Sequence, residues 1–333
     1  MKTAIVGFSG SGKTELFRAL TGPQIFGNRA MVKVPEPRLE PLSALFKPKK
    51  ITCTEIEYLD LPGGGAQALG NRLLSDIRGV DCLIAVLDAF SGTQDPLKQQ
   101  DSIEAELMVS DMAVIEKKLD KILEDKKKAR HLYNPEEEEM LLKAQEILEQ
   151  EMPLRIDRNL AMNEVLKGFA FLSAKPVLYA WNVAENRLGD FQIPPEEPNM
   201  GHIAFSARLE REMSELESEQ ELHEFMQDLG ISGSVLDRVI AGTYRLLGLI
   251  TFLTAGEKEV RAWPLRNGQN AWEAAGVIHS DIQKGFIRAE VLGWNDFLRC
   301  KTFKKAREQG VLRLEGKEYI VRDGDIITFR FNV

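Results

Sequence analysis

The sequence predicts a multi-domain chain led by an α/β domain with a mostly parallel sheet, and three observations predict it. Short apolar runs recur at Thr3 to Val6, Ile56 to Leu61, Cys82 to Leu87, Val177 to Trp181 and His202 to Phe205. Helix-like stretches such as Leu69 to Arg78 separate them, which is the alternation of strands and covering helices. The first run leads through a glycine-rich turn into the helical Glu15 to Leu20, a strand, loop and helix in sequence. From about Leu249 the texture changes to short β-type runs around two helical stretches, which reads as a smaller α+β unit. A chain of 333 residues has room for two or three domains.

A long insert interrupts the alternation. Between Asp101 and Glu151, Ile103, Leu107, Ile115, Leu119, Ile122, Leu141 and Leu148 sit among 15 acidic and 8 basic residues. This spacing predicts a helical hairpin that turns near Tyr133-Asn134-Pro135, with Pro135 opening the second helix. The repeat is too irregular for a long coiled coil. In the last region the runs Val260 to Leu265, Phe286 to Leu292, Leu312 to Leu314, Tyr319 to Val321 and Ile326 to Phe331 are expected strands. The expected organisation is an α/β domain over 1–100 and 166–248, a helical insert over 101–165, and a separate unit over 249–333.

Composition narrows the function classes. With 44% hydrophobic and 28% charged residues the chain is globular rather than disordered. Its net charge of −8 argues against adhesion to nucleic acid or membrane by bulk charge, so any such contact must be local. Residues 249–333 carry 14 basic and 11 acidic side chains, a positive balance within an acidic chain. This marks the last region as the contact for an RNA-containing partner, with an ordinary charged surface as the alternative. Cys53, Cys82 and Cys300 are few and far apart, which fits a reducing cytoplasm and neither a disulfide framework nor a thiolate metal site. No run approaches a membrane span, and the expectation is a soluble, cytoplasmic protein. His131, His202, His223 and His279 lack metal-ligand spacing and are read as structural.

The motif Gly7-Phe-Ser-Gly-Ser-Gly12-Lys13-Thr14 matches GxxxxGK[ST] in full, after a strand and before a helix. Small residues let backbone N–H groups face phosphate oxygens, the helix start adds positive potential, and lysine reaches the outer phosphates. Ser9, Gly10, Ser11, Gly12, Lys13 and Thr14 are therefore candidate phosphate contacts, with the Thr14 hydroxyl on Mg²⁺. Asp60-Leu-Pro-Gly63 ends a strand, where Asp60 can hold the metal and Gly63 can face the γ-phosphate. Asn182-Val183-Ala184-Glu185 follows a later strand, where guanine-binding proteins with such a phosphate loop carry Asn-Lys-x-Asp. An aspartate there accepts two donors from guanine, so Glu185, together with Val183 in place of lysine, argues against strong guanine preference. Ser206-Ala207-Arg208 follows the next strand and completes the candidate base site.

These motifs in this order, with Phe252 to Trp263, Lys284 to Val291, Leu314 to Val321 and Phe329 to Val333, resemble the YchF family of Obg-related P-loop NTPases. The resemblance spans essentially the whole chain. It implies a P-loop NTPase G domain with an inserted helical hairpin and a C-terminal TGS domain of β-grasp, ubiquitin-like fold. It also implies Mg²⁺ with ATP taken at least as well as GTP, and a ribosome or RNA partner met through the TGS domain and hairpin.

The chain departs from the family where the γ-phosphate is sensed. No threonine lies between Thr21 and Thr52, Gly22 to Arg29 is short for a first switch, and Gly64-Gly65-Ala66-Gln67 leads almost directly to Gly70. Gln67 is given no role. The expectation is a nucleotide-binding hydrolase with slow intrinsic turnover. The alternative is a hydrolysis-deficient module that nucleotide stabilises for binding ribosome, RNA or protein.

Overall fold

The computed structural model describes residues 1–22, 27–62, 69–128, 133–214, 216, 218–228 and 234–332. They form two compact units, one of residues 1–32 with 57–246 and one of residues 33–56 with 247–333.

The first sheet contains β1 (Lys2–Val6), β2 (Arg29–Lys33), β4 (Glu55–Asp60), β5 (Cys82–Ala89), β6 (Val177–Val183) and β7 (Met200–Phe205), ordered β2-β4-β1-β5-β6-β7. The strands from β4 to β7 in that order are parallel. Their C-terminal ends therefore line one edge, where open α/β sheets take ligands. A parallel sheet needs both faces covered, and Cys82 to Leu87 are all buried. One face packs Leu83, Ala85, Leu87, Tyr179 and Trp181 against α3 (Gly70–Asp76) and the foot of α4 (Pro96–Lys128). The other is covered by α1 (Lys13–Thr21) with α7 (Ala207–Ser214) and α9 (Val235–Leu246), while α8 (Glu219–Asp228) lies between them in sequence.

The expected helical hairpin is present, formed by α4 and α5 (Pro135–Glu149), with Asn134 capping α5 and Pro135 in its first turn. Ile115, Ile122, Leu141, Ala144 and Leu148 bury its seam, closed below by Leu154, Leu166 and Leu160 of the short α6 (Arg158–Ala161). Helix α4 starts at Pro96, earlier than the expected insert boundary. Buried Gln99 accounts for the difference, since it accepts from the Asp88 N–H at 3.0 Å and donates to its carbonyl at 3.1 Å. One 33-residue helix thus covers the sheet and continues into the hairpin.

In the second unit β8 (Leu249–Ala255) and β9 (Glu259–Arg266) form a hairpin, then α10 (Ala271–Ile278) and α11 (Ser280–Lys284) lead to β10 (Phe286–Leu292). After α12 (Trp294–Cys300) and α13 (Phe303–Glu308), β11 (Arg313–Glu315) and β12 (Ile326–Phe331) close the sheet. The order β11-β10-β12-β8-β9, with β12 and β8 parallel at the centre and antiparallel pairs outside, is the β-grasp arrangement. Ala271, Ala274 and Ala275 of α10 seat against Phe252, Val291 and Ile327. Residues Tyr319 to Val321 form only one bridge, Asn270 with Ile320, rather than the expected strand. The Tyr319 hydroxyl instead donates to Asp325 and accepts from Arg313, which holds the segment as a turn.

Residues 33–56 join this unit rather than the first, although the sequence placed them in the α/β domain. Helix α2 (Leu39–Phe46) buries Leu39 and Leu42 beside Leu253, Phe297 and Ala306, and β3 (Lys50–Thr52) adds a parallel edge strand to β9. Arg38 reaches Glu36 and Asp323, both at 2.6 Å. Pro35, Pro37, Pro41 and Pro48 obscured the helix in the sequence, yet Pro41 falls in the first turn of α2, where no intrahelical donor is lost.

Candidate nucleotide and metal site

Gly7 to Thr14 turn from the end of β1 into α1 on three left-handed glycines, Gly7, Gly10 and Gly12. At Gly7 a β-carbon would meet the Val86 carbonyl oxygen at 2.4 Å, and at Gly12 it would meet the Asn182 amide nitrogen at 2.5 Å. Both positions therefore require glycine for space as well as for φ. No side chain caps α1 at Gly12, so the first N–H groups of the helix stay open toward the loop.

The side chains here carry an unused binding capacity. Ser11 is fully buried and its hydroxyl has no hydrogen-bond partner among the described residues. Lys13 is buried too, and its ammonium donates to the Phe8 carbonyl at 2.6 Å. Burial depresses the Lys13 pKa, with Asp60 opposing the shift. A buried cation on a carbonyl, beside an orphaned hydroxyl and an uncapped helix start, is a cradle suited to a polyanion.

The Thr14 hydroxyl donates to Asp60 at 3.0 Å across 46 residues, which brings the two expected metal ligands together at the start of α1 and the end of β4. Burial raises the Asp60 pKa, while Thr14, Lys13 and Arg18 pull it down. A hydroxyl next to a partly desolvated carboxylate is a hard oxygen pair that fits Mg²⁺, which binds through few protein ligands and substrate phosphate. Gly63 and Gln67 lie outside the described residues, as does His131. Just beyond, the Glu106 carboxylate of α4 accepts the N–H groups of Leu69 and Gly70 at 3.0 Å, an anchor for α3 that no motif announced.

The candidate base residues lie at the ends of β6 and β7. Asn182 is buried, donates to the Ser11 carbonyl at 3.0 Å and accepts from the Ala207 N–H at 3.0 Å. It joins the phosphate loop to the Ser206–Arg208 turn rather than pointing freely at a ligand. Val183 is buried, and so is Ser206 at the end of the next strand. Glu185, half exposed, lies 3.5 Å from Arg208, which also pairs with Glu212 at 3.0 Å. Glu210, four residues after Ser206, accepts from the Val235 N–H at 3.2 Å at the start of α9. Its pKa is pushed up to about 7 by burial, against the pull of Arg238.

Along its full length the chain is 38% identical to the ribosome-binding ATPase YchF of Bacillus subtilis, and the alignment takes in all of both proteins. It belongs to the YchF family. The YchF protein of Pasteurella multocida is 37% identical, again over the whole chain and 99% of the relative. A family model described as a 50S ribosome-binding GTPase matches residues 2–133, and one for the C-terminal region of YchF GTPases, described as a protein of unknown function, matches 249–332. The solved YchF GTPase of Schizosaccharomyces pombe superposes with a TM-score of 0.85 at 29% identity, covering 99% of this chain and 97% of the other. This YchF chain is a shortened one: the Bacillus alignment has 371 positions against 333 residues, which leaves 38 positions that this chain does not fill.

His202 accepts from the Trp181 indole at 3.1 Å, and His279 caps α11, so neither is set up as a ligand. The described residues hold no group of histidine, cysteine and carboxylate side chains suited to a metal, and no described helix is long and apolar enough to cross a membrane. Trp263 stacks on Phe252 and carries Arg261 over its ring at 3.8 Å.

Proposed function

We propose that this YchF-family protein binds Mg·ATP, hydrolyses it slowly, and uses its nucleotide state to regulate association with the ribosome. The observation that carries the reading is the phosphate cradle: buried Lys13 on a carbonyl, the orphaned Ser11 hydroxyl, and Thr14 held against Asp60. Ser9 to Thr14 bind phosphates, and Thr14 and Asp60 hold the metal. When bound, Mg²⁺ would neutralise charge on the phosphate oxygens. The relatives named as ribosome-binding ATPases support both the substrate and the partner.

Adenine is preferred because Glu185 stands where guanine selection needs an aspartate free to accept twice, and Arg208 already engages that carboxylate. Asn182, Val183, Ser206 and Ala207 complete the base site. Tenfold tighter GTP binding, about 1.4 kcal/mol, in competition on nucleotide-free protein would reject this preference.

A second reading is a module that keeps nucleotide as a structural ligand and has lost turnover. The absence of any threonine between Thr21 and Thr52 favours it, because losing such a group can slow phosphoryl transfer by a factor on the order of 10³ to 10⁵. Single-turnover hydrolysis with and without ribosomes, compared with Lys13→Ala, separates the two. Product that depends on Lys13 supports the enzyme; none in either condition leaves only the module.

A further inference from the structure

The second unit brings together two basic runs that lie far apart in the sequence. The first is Lys47-Pro-Lys49-Lys50, which leaves the end of α2. The second runs from Arg299 to Glu308 through α12 and α13, where Arg299, Lys301, Lys304, Lys305 and Arg307 stand against a single acid, Glu308. The core beneath them sets the juxtaposition. Phe46 meets Phe303 edge to face with ring centroids 5.6 Å apart, and both rings pack on the cluster that holds Leu42, Phe297, Cys300 and Ala306. Consecutive Cα atoms are about 3.8 Å apart, so Lys47 and Lys304 each begin one residue from that ring contact. Lys47 and Lys301 are both left-handed residues, which turn the chain sharply at the rim of the patch.

All of these cations are solvent-exposed. Arg299 pairs with Asp296, Arg307 lies 3.5 Å from Glu290, and Lys50 lies 3.7 Å from Glu259. Lys47, Lys49, Lys301, Lys304 and Lys305 have no ion pair among the described residues. A patch of unpaired lysines on a chain of net charge −8 is unlike the mixed-sign surface that solubility alone requires. Lysine is a compact, mobile point charge suited to phosphate without base recognition.

We propose that this patch is a docking surface for the phosphate backbone of RNA. It rests on the ribosome partner proposed above and assigns that contact to particular residues. Both halves are needed: residues 249–333 alone carry only the α12–α13 half, because Lys47 and Lys49 arrive with α2.

The experiment uses the full chain and two variants, Lys301→Ala/Lys304→Ala/Lys305→Ala and Lys47→Ala/Lys49→Ala. The probes are a labelled ribosomal-RNA hairpin and intact ribosomes, titrated at several salt concentrations, with Mg·ATP binding as the control for an intact first unit. Each variant is expected to weaken both interactions about tenfold at low salt and to lower the slope of log K against log salt by about 2, with Mg·ATP binding unchanged. Unchanged affinity and slope in both variants overturns the proposal. Variants that lose ribosomes while the wild type ignores the RNA hairpin also overturn it, in favour of an acidic ribosomal-protein surface. A wild type that binds neither probe removes the patch and the ribosome partner together and leaves the nucleotide reading standing.

Discussion

Asn182 donates its side-chain amide to the carbonyl of Ser11 at 3.0 Å, which ties the end of β6 to the phosphate loop across 171 residues of sequence. The same amide group accepts from the Ala207 N–H, so one buried side chain fixes the phosphate loop and the Ser206–Arg208 turn relative to each other. Asn182→Ala strands the Ser11 carbonyl and the Ala207 N–H, each at a cost of about 1–3 kcal/mol. Calorimetry with Mg·ATP is expected to show at least about tenfold weaker binding. A change below twofold would mean that the loop holds its shape without the clamp.

Lys13 and Asp60 both carry charge where burial disfavours it, which makes the nucleotide-free site a source of instability. The stability that the raised Asp60 pKa contributes is fully present below the ordinary carboxylate range and is lost as pH rises through its folded value. At neutral pH Asp60→Asn is therefore expected to raise the melting midpoint of nucleotide-free protein, and Lys13→Met to do the same. Wild-type protein at ATP a hundred times Kd gains about 2.7 kcal/mol, and this gain should disappear on chelating Mg²⁺. Both variants should lack it altogether. Thermal melts with and without Mg·ATP decide the point, and a variant less stable than wild type without nucleotide contradicts it.

Much of the arrangement at this candidate site was legible in the sequence alone. The glycine-lysine loop, Asp60 and the Asn182 and Ser206 segments each combine a residue type with a strand end, and a parallel sheet gathers strand ends on one edge. What the sequence hid depends on long-range pairing. Segment 33–56 looked like part of the α/β domain because neighbours in sequence are usually neighbours in space, and only its burial against Phe297 and Ala306 shows otherwise. Glu106 gave no signal because a carboxylate on a charged helix reads as solvated until its two backbone donors are seen. The early start of α4 was missed because the burial of Gln99 depends on Asp88 backbone groups on β5.

The foot of the hairpin rests on a buried ion pair. Arg155, with no exposed surface, donates to Glu104 of α4 at 2.5 Å and to the Lys175 carbonyl at 2.6 Å, and Tyr179 on β6 donates to the same carboxylate oxygen. Glu104→Ala leaves a guanidinium uncompensated and is expected to destabilise the first unit by about 3–5 kcal/mol. Replacing both charges with apolar residues of similar size, Glu104→Leu with Arg155→Met, should recover most of that loss. Urea unfolding of the single and double variants reads this directly. A double variant no more stable than Glu104→Ala would show that the hydrogen bonds to Lys175 and Tyr179, rather than the charges, hold the hairpin foot.

Glu210 introduces a pH dependence close to neutrality. Burial raises its pKa from 4.5 to about 7, while Arg238 and the Val235 N–H hold it down. The raised value means that its contribution to stability is complete below about pH 4.5 and is lost as pH climbs through 7. The contribution lost is about 3 kcal/mol, because each tenfold change in proton affinity between the folded and unfolded chains is worth about 1.36 kcal/mol. Glu210→Gln keeps an acceptor for the Val235 N–H but cannot ionise, so its stability should decline less than that of wild type over this range. Urea midpoints at closely spaced pH values from about 5 to about 8 are expected to converge for the two proteins at the acid end and to favour glutamine at the alkaline end. Parallel curves would show that the ionised Glu210 is fully compensated by Arg238, whose guanidinium donates to the Ala204 carbonyl at 2.5 Å and is itself partly desolvated.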